Sequence, residues 1–469
     1  MSRTTDVIIV GVGTCGEDIA LRLLASGLDV IGIEARLVGG ECAYFACLPT
    51  KSMVRSAGLL TEAKRADGYV GQVTVQPDWS LVARRVRDEV TGGWNDAGAA
   101  ARFHARGGQL VRGRGRLVDN RTVAVGEDTW TARRGIVLAT GSRPWLPPVD
   151  GLADVGAWTT RDAVKADPLP TSLLVLGAGA VGCEFSQVFA RFGVDVTLIE
   201  ARERVLPAEE PEVAEPVTAA LEADGATVRC GVRVTEVART DARVRAVLDD
   251  GAVVEADEVL AATGRRVDVS ELGLDAAGVE VANGAIVVDE HLRAAEGIWA
   301  VGDVTGIGML THVALSQASI AVADILGHPP PAADYRAVPH VTFTDPEVGS
   351  VGLGEEAARA AGIDVDVVVK SLPATFRGWL HGPGNAGFVK LVADRRADRL
   401  VGATVVGPRA GEMLGMLIAA VHAEMSLGDL VTMVYPFPTF VGSIGEALGA
   451  YGRGLVTVLD PGNPPMFTD

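Results

Sequence analysis

DVIIVGVGTCGEDIALRLLASGLDVIGIEAR, residues 6–36, decides the fold. A β-branched run from Val7 to Val10 ends in three glycines, Gly11, Gly13 and Gly16. Apolar residues at helical spacing follow, and then a second short apolar run closes on Glu34. Strand, GxGxxG turn, helix, strand and acid, in that order, form a dinucleotide-binding βαβ unit. The glycines allow a tight turn and let a pyrophosphate approach the helix N-terminus, where backbone N–H groups point outward. The acid accepts hydrogen bonds from ribose hydroxyls. A glycine-rich turn alone is weak evidence, because such turns are common in loops. Here the flanking strands and the trailing acid carry the reading.

The same pattern returns at 172–202, SLLVLGAGAVGCEFSQVFARFGVDVTLIEAR. Gly177, Gly179 and Gly182 repeat the glycines, and Glu200 repeats the acid. The acid lies 18 residues past the third glycine in both copies (34 − 16 and 200 − 182). Both copies read Ile-Glu-Ala-Arg there, at 33–36 and 199–202. A repeat this far apart predicts two Rossmann-type domains, since solenoid units recur at much shorter periods. Two dinucleotide sites in one chain suggest electron movement between two nucleotide cofactors. Glu200 suits a free ribose 2′-OH and repels a 2′-phosphate, which favours NADH. Arg202 and Arg204 leave NADPH open.

Just beyond the first fingerprint stands GGECAYFACLPTKSM, residues 39–53. Cys42 and Cys47 are two of only five cysteines, so their closeness invites a redox reading. The plain alternative is two small buried hydrophobes, as free cysteines often are. A zinc site is excluded by the four-residue spacing and the lack of a second ligand pair. A helix N-terminus in this segment lowers a thiol pKa and favours thiolate.

The rest of the chain sets bounds. Its 469 residues predict two to four domains, and 57 glycines exceed the usual share of about 7%. The net charge of −18, with no long basic run, argues against nucleic acid or an anionic membrane as partner. No apolar stretch reaches the length of a membrane span. Scattered, odd-numbered cysteines favour a cytoplasmic redox pair over a secreted disulfide framework. Residues 53–105 read as mostly helical and surface-exposed, 109–132 as short strands, 135–142 as a strand ending in Thr140-Gly141-Ser142, and 312–326 as a helix. An apolar strand delivers Gly302-Asp303 at its C-terminal end, where α/β sheets place ligand-binding residues. The part from 339 to 460 has no glycine fingerprint and reads as a separate α+β domain.

Together these residues resemble the flavoprotein pyridine nucleotide–disulfide oxidoreductases, which include dihydrolipoamide dehydrogenase and mercuric reductase. The resemblance spans essentially the whole chain and keeps the family's motif order. It implies an α/β fold of two Rossmann-like dinucleotide-binding domains, for FAD and NAD, with a C-terminal α+β dimerisation domain. The FAD domain is then split, 1–148 plus 272–337, around an NAD domain at 149–271, with the interface domain at 338–469. The implied FAD residues are Gly11, Gly13, Thr14, Gly16, Glu34, Ala35, Glu41, Lys51, Thr140, Gly141, Gly302, Asp303, Leu310, Thr311 and His312. Those for the nicotinamide nucleotide are Gly177, Gly179, Gly182, Glu200 and Gly264. Cys42 and Cys47 match the redox disulfide, Cys47 as the thiolate against the flavin and Cys42 as the exposed interchange thiol. Lys51 matches the lysine near the flavin N5, and Glu184 the glutamate beside the nicotinamide. A homodimer, no metal site and a cytoplasmic location complete the expectation.

The resemblance breaks near the C-terminus. The disulfide reductases carry His-Pro-Thr there, with a glutamate five residues after the histidine, and this pair serves the partner subunit as acid–base group. Here the best register is Phe437-Pro438-Thr439, and the glutamate position is Gly442. No histidine follows His422. Mercuric reductases also lack the histidine but end in a cysteine pair, and this chain has no cysteine after Cys230. A general acid contributes typically 10²–10⁴-fold, so exchange with a carbon disulfide should be slow here. Tyr435, His381 and His422 are the remaining substitutes. The expectation is an FAD-dependent enzyme passing electrons from NADH through Cys42–Cys47 to a small disulfide or related acceptor. The alternatives are a diaphorase or quinone reductase, an enzyme like mercuric reductase, and a non-catalytic redox-sensing flavoprotein. The full set of cofactor motifs weighs against the last.

Overall fold

The computed structural model describes residues 3–240 and 242–451. Arg3–Val10 is central in an eight-stranded sheet, parallel to Asp128–Leu138 on one side and Val30–Glu34 on the other. Ile298–Ala300 joins beyond the first neighbour and Gln109–Arg112 beyond the second, both parallel. A parallel strand is covered on both faces, which is why the central run is continuously apolar. Its side chains nevertheless alternate. Val7 and Ile9 pack with Ile19 and Leu23 of the helix Thr14–Ala25 and with Ala318 and Ala321 of the helix Thr311–Ile325. Ile8 and Val10 pack against Leu117, Val123 and Trp130 on the opposite face. Each fully buried Val or Ile contributes about 1.5–3 kcal/mol.

A second, four-stranded parallel sheet has the order Thr227–Cys230, Asp195–Glu200, Ser172–Leu176, Glu258–Ala261. The third unit is a five-stranded antiparallel sheet, Pro339–Thr342, Glu347–Gly352, Arg399–Gly407, Phe388–Asp394 and Val365–Ser371. Met413, Leu414 and Leu417 of the helix Ala410–His422 and Ile444 and Leu448 of the helix Phe440–Ala450 close its core. Among the described residues no helix is long and apolar enough to cross a membrane.

The sequence repeat is a repeat of geometry. Gly11 and Gly177 have φ of +95° and +96°. A Cβ on Gly11 would lie 2.4 Å from Ala139 O, and one on Gly177 2.8 Å from Ala262 O. Both carbonyls belong to an Ala-Thr-Gly turn, at 139–141 and 262–264, on the neighbouring strand. A Cβ on Gly16 would meet Gly11 O at 2.0 Å, and one on Gly182 would meet Gly177 O at 1.8 Å. The third glycine of each copy therefore exists to seat the helix against the turn.

The structure refines two expectations. The segment 53–105 is mostly helical and mostly exposed, but the helix Cys47–Ala66 is followed by non-helical chain over 67–78 before helical structure resumes at Trp79. Val82, Val86 and Phe103 are buried, because their helices lie on the protein body. The strand expected at 135–142 runs instead from Asp128 to Leu138, as its early half pairs with Thr122–Val125. The end of the C-terminal part, beyond 451, lies outside the described residues.

Candidate active site

The first fingerprint and the cysteines open on one cavity of about 690 Å³. It is lined by Gly11, Gly13, Thr14, Glu34, Ala35, Glu41, Cys42, Cys47, Thr140, Gly141, Gly302, Asp303 and Thr311, thirteen of the residues singled out from sequence. Gly16 lies beneath, packed on Gly11. Glu34 closes the turn: its carboxylate accepts from Val12 N at 2.7 Å and Arg36 N at 2.7 Å. Burial pushes its carboxyl up, against those two bonds.

Cys42 sits in a short helical turn, Gly40–Tyr44, and Cys47 is the first residue of the helix Cys47–Ala66. Pro49 is tolerated because the first helical turn has no use for its missing N–H. Both cysteines are free thiols, half-buried. The Thr311 hydroxyl stands 3.3 Å from each sulfur. The two thiols part in acidity. A hydrogen bond from Cys42 pulls Cys47 down to about 6 against its burial, helped by Thr311 and the charge of Lys51. The same hydrogen bond, with burial, pushes Cys42 up. Cys47, at the start of its helix and near Lys51, is thus the more acidic thiol of the pair.

Lys51, one turn beyond Cys47, reaches across to the second fingerprint helix, Ala180–Arg191, and donates to Glu184 Oε1 and Oε2 at 3.0 and 2.7 Å. Glu184 also accepts from Phe343 N at 2.9 Å. The next residues on that helix face continue the seam. Gln187 exchanges hydrogen bonds with the Asp345 backbone, at 2.8 and 2.9 Å, and Arg191 donates to Asp345 Oδ2 at 3.0 Å. Arg65, from the cysteine helix, binds the same Asp345 oxygen at 2.9 Å. The cysteine helix, the second fingerprint and the C-terminal unit therefore meet along one polar stripe.

Gly177, Gly179, Gly182, Glu200 and Gly264 do not line the cavity; they gather at the end of the four-stranded sheet. Glu200 repeats the bonding of Glu34, accepting from Ala178 N and Arg202 N at 2.8 Å each. Leu310 and His312 also lie off the cavity: Leu310 is the N-cap position of Thr311–Ile325, and His312 Nε2 stands 2.8 Å from Pro339 O.

Several lining residues escaped the sequence reading. Arg265 donates to Ser142 Oγ at 2.7 Å and Ser142 donates to Asp303 Oδ2 at 2.5 Å, so Asp303 is held from both dinucleotide units. A signal for this existed, since Ser142 and Arg265 each follow one of the two Ala-Thr-Gly turns. Arg161 reaches in from the second unit, pairs with Glu41 and lies 5.2 Å from the Phe45 ring centre. Burial, then Arg36 and Arg265, lower it to about 10.

At the other end of the chain, Phe437 is 72% exposed and its ring meets Phe376 edge-on at 5.1 Å. Tyr435 is committed to its own segment, donating to Leu430 O at 2.7 Å. His381 packs on Phe440, and burial lowers its pKa.

Comparison with known proteins agrees with this arrangement. Residues 5–318 match the pyridine nucleotide-disulphide oxidoreductase family and residues 338–448 its dimerisation domain. A dihydrolipoyl dehydrogenase of Rhizobium etli is 33% identical over 97% of this chain and 100% of its own length. A mercuric reductase of Acidithiobacillus ferrooxidans is 33% identical over 95% of this chain and 82% of its own length. The Cu(II) complex of the HOCl-induced flavoprotein disulfide reductase RclA of Escherichia coli superposes with a TM-score of 0.84 at 26% identity, covering 96% of this chain and 100% of that one.

Proposed function

This chain belongs to the pyridine nucleotide-disulphide oxidoreductase family, enzymes that use FAD and NAD(P)H, and we propose that it passes electrons from NADH through Cys42 and Cys47 to a small acceptor whose reduction needs no protonated thiol leaving group. The observation that carries this is the single cavity shared by the first fingerprint, Asp303 and both sulfurs. The cavity fits FAD on its own geometry. Gly11 and Gly13 leave the helix N-terminus bare for a diphosphate, and Thr140, Arg161 and Glu41 each keep one buried polar atom without a partner. In the proposal Glu34 holds the ribose, Asp303 the ribityl chain, and Lys51 the edge of the ring. When bound there, FAD supplies two-electron chemistry between the nicotinamide and the cysteine pair.

The chain's own residues do the rest. Glu184, with its side chain 1% exposed, fixes Lys51 beside Cys47. Lys51 and Thr311 favour the thiolate form of Cys47. Glu200, tied at the end of its strand, leaves no room in charge for a 2′-phosphate, so NADH is favoured over NADPH. A domain division of 1–148 with 272–337, 149–271, and 338–469 is supported by the three largest sheets, one falling in each. A cytoplasmic homodimer is proposed on the dimerisation-domain match and on the cysteine usage.

The acceptor follows from what is missing. Phe437 occupies the place of the family's acid–base histidine, so a carbon disulfide would have to leave as an unprotonated thiolate. A thiophilic metal ion has no such requirement, and RclA was solved with Cu(II). A quinone approaching the apolar Phe437–Phe376 pair is the second reading. Anaerobic mixing of the FAD-loaded enzyme with NADH, followed by Cu(II), a quinone or lipoamide, separates them. Cys42→Ser is expected to keep NADH-driven bleaching of the flavin and to lose Cu(II) turnover. Wild-type Cu(II) turnover in Cys42→Ser would overturn the cysteine route.

A further inference from the structure

A carboxylate stands where a diphosphate is expected. The diphosphate site of the first unit is the bare N-terminus of the helix Thr14–Ala25. The segment 39–41 lies directly against it. Gly39 N donates to Val12 O at 2.8 Å, Thr14 Oγ1 donates to Gly39 O at 3.2 Å, and a Cβ on Gly40 would lie 2.9 Å from Gly13 Cα. Glu41 follows and lines the cavity. A carboxylate and a diphosphate in one cavity repel each other unless a cation stands between them.

The second unit supplies that cation. Trp158 exchanges backbone hydrogen bonds with the strand Glu258–Ala261, donating to Val259 O at 2.7 Å and accepting from Ala261 N at 2.8 Å. The turn that follows, Thr160–Ala163, is fixed by a capping box: Thr159 Oγ1 accepts from Arg161 N at 3.3 Å, and Asp162 Oδ2 accepts from Thr159 N at 2.8 Å. That turn projects Arg161 into the cavity, with its guanidinium over the Phe45 ring and Nη2 on Glu41 Oε1. Among the described residues, Arg161 Nε and Glu41 Oε2 are buried with no hydrogen-bond partner. No other arginine of the cavity wall keeps such a donor among the described residues. Arg265, the other arginine that the second unit brings to the wall, is taken up by Ser142. Buried N–H groups in folded proteins are nearly always paired, so an unpaired one facing a cofactor cavity points to an acceptor on the cofactor.

We propose that Arg161 is a ligand of the FAD diphosphate, with Glu41 holding its guanidinium in place, so that the second dinucleotide unit clamps the cofactor of the first. A guanidinium suits this task, because its planar fork of five N–H groups can serve a carboxylate and a phosphate at once. The inference rests on FAD as the occupant of this cavity. It has a consequence for the fold. FAD binding and the docking of the second unit strengthen each other, since one side chain takes part in both.

The test is the affinity of the full-length holoenzyme for FAD, read from free flavin fluorescence after ultrafiltration of a dilution series. Arg161→Met is expected to raise the FAD dissociation constant about tenfold to a hundredfold, the range for losing a hydrogen bond to a charged group. The decisive comparison is made in the Glu41→Gln background, where no carboxylate needs neutralising. There Arg161→Met is still expected to weaken FAD binding about tenfold or more. An arginine that only neutralises Glu41 predicts no loss in that background, and that result overturns the proposal. Unchanged affinity in Arg161→Met alone overturns it as well, and leaves the pair as a structural tie between the units. Arg161→Gln, which keeps a donor toward Glu41, takes the place of the methionine variant if the latter does not fold. A wild-type chain that carries no flavin refutes FAD as the occupant. Flavin bound equally well by wild type and variants refutes only the role of Arg161.

Discussion

Phe437→His tests whether the altered C-terminus sets the choice of acceptor. The side chain is 72% exposed and touches the Phe376 ring edge-on, so the substitution removes one surface aromatic pair, a loss of about 0.5 kcal/mol at such exposure. Folding should survive it. The gain sought is a general acid for the leaving thiolate, typically 10²–10⁴-fold, or about 3–5 kcal/mol off the barrier. The upper end is out of reach, because a histidine of this kind needs an orienting carboxylate. The position for that carboxylate is Gly442, where a Cβ would lie 2.8 Å from Pro436 O. A glutamate there requires the 436–442 turn to shift. Phe437→His alone is therefore expected to raise kcat/KM for lipoamide with NADH about a hundredfold, the low end of the range. The rate of flavin reduction by NADH in anaerobic stopped flow should stay at the wild-type value, since Phe437 is not among the residues lining the cavity. If lipoamide turnover does not rise while flavin reduction is unchanged, the missing histidine is not what limits the enzyme, and the argument for a proton-free acceptor fails.

Lys390→Met addresses the junction between the second and third units. The Lys390 side chain is 1% exposed, and its ammonium lies 2.8, 2.7 and 3.0 Å from Glu210, Glu212 and Glu355. Removing it leaves three carboxylates facing one another, a loss of about 3 kcal/mol, at the low end for a broken buried pair because two of the three are partly wet. Burial lowers the Lys390 pKa but its three partners outweigh that and raise it, so its contribution is complete below about pH 10 and fades only as pH rises through the folded value. Glu355 is raised by burial but lowered more by Lys390 and Arg359, so its share is present above about pH 4 and lost as pH falls through the folded value. Urea midpoints should therefore show the widest gap from wild type near pH 7 and a narrower one near pH 4. Glu184→Gln keeps an acceptor for Phe343 N but leaves the Lys51 charge unbalanced beside Cys47. Ultraviolet thiolate titration should place the pair's first ionisation lower than in wild type, by up to about one unit.

What was legible in the sequence was local. A glycine that has no room for a Cβ, an acid closing a strand and two cysteines with four residues between them each carry a local signal. Even the duplicated bonding of Glu34 and Glu200 could be read from spacing. What was not legible joins distant residues. Arg161 meets Glu41 across 120 positions, Arg191 meets Asp345 across 154, and Lys390 meets Glu212 across 178. No local pattern distinguishes such an arginine or lysine from a solvated one, and the electrostatic gain exists only once the units have packed. Phe103 and Val86 were missed for a related reason: the helices bearing them are short and charged on one side, and their buried face is set by what they dock onto.

The same contrast explains why the chain can keep its donor side and alter its acceptor side. Lys51, Glu184, Gln187, Arg191, Arg65 and Asp345 tie three units into one seam, so a change at any of them disturbs the others. The segment carrying Phe437 is held mainly by its own bonds, Tyr435 to Leu430 O and Thr439 to Pro436 O. A substitution at its exposed tip loses only the ring contact with Phe376. Acid–base chemistry supplied from that tip can be removed without disturbing the seam behind it.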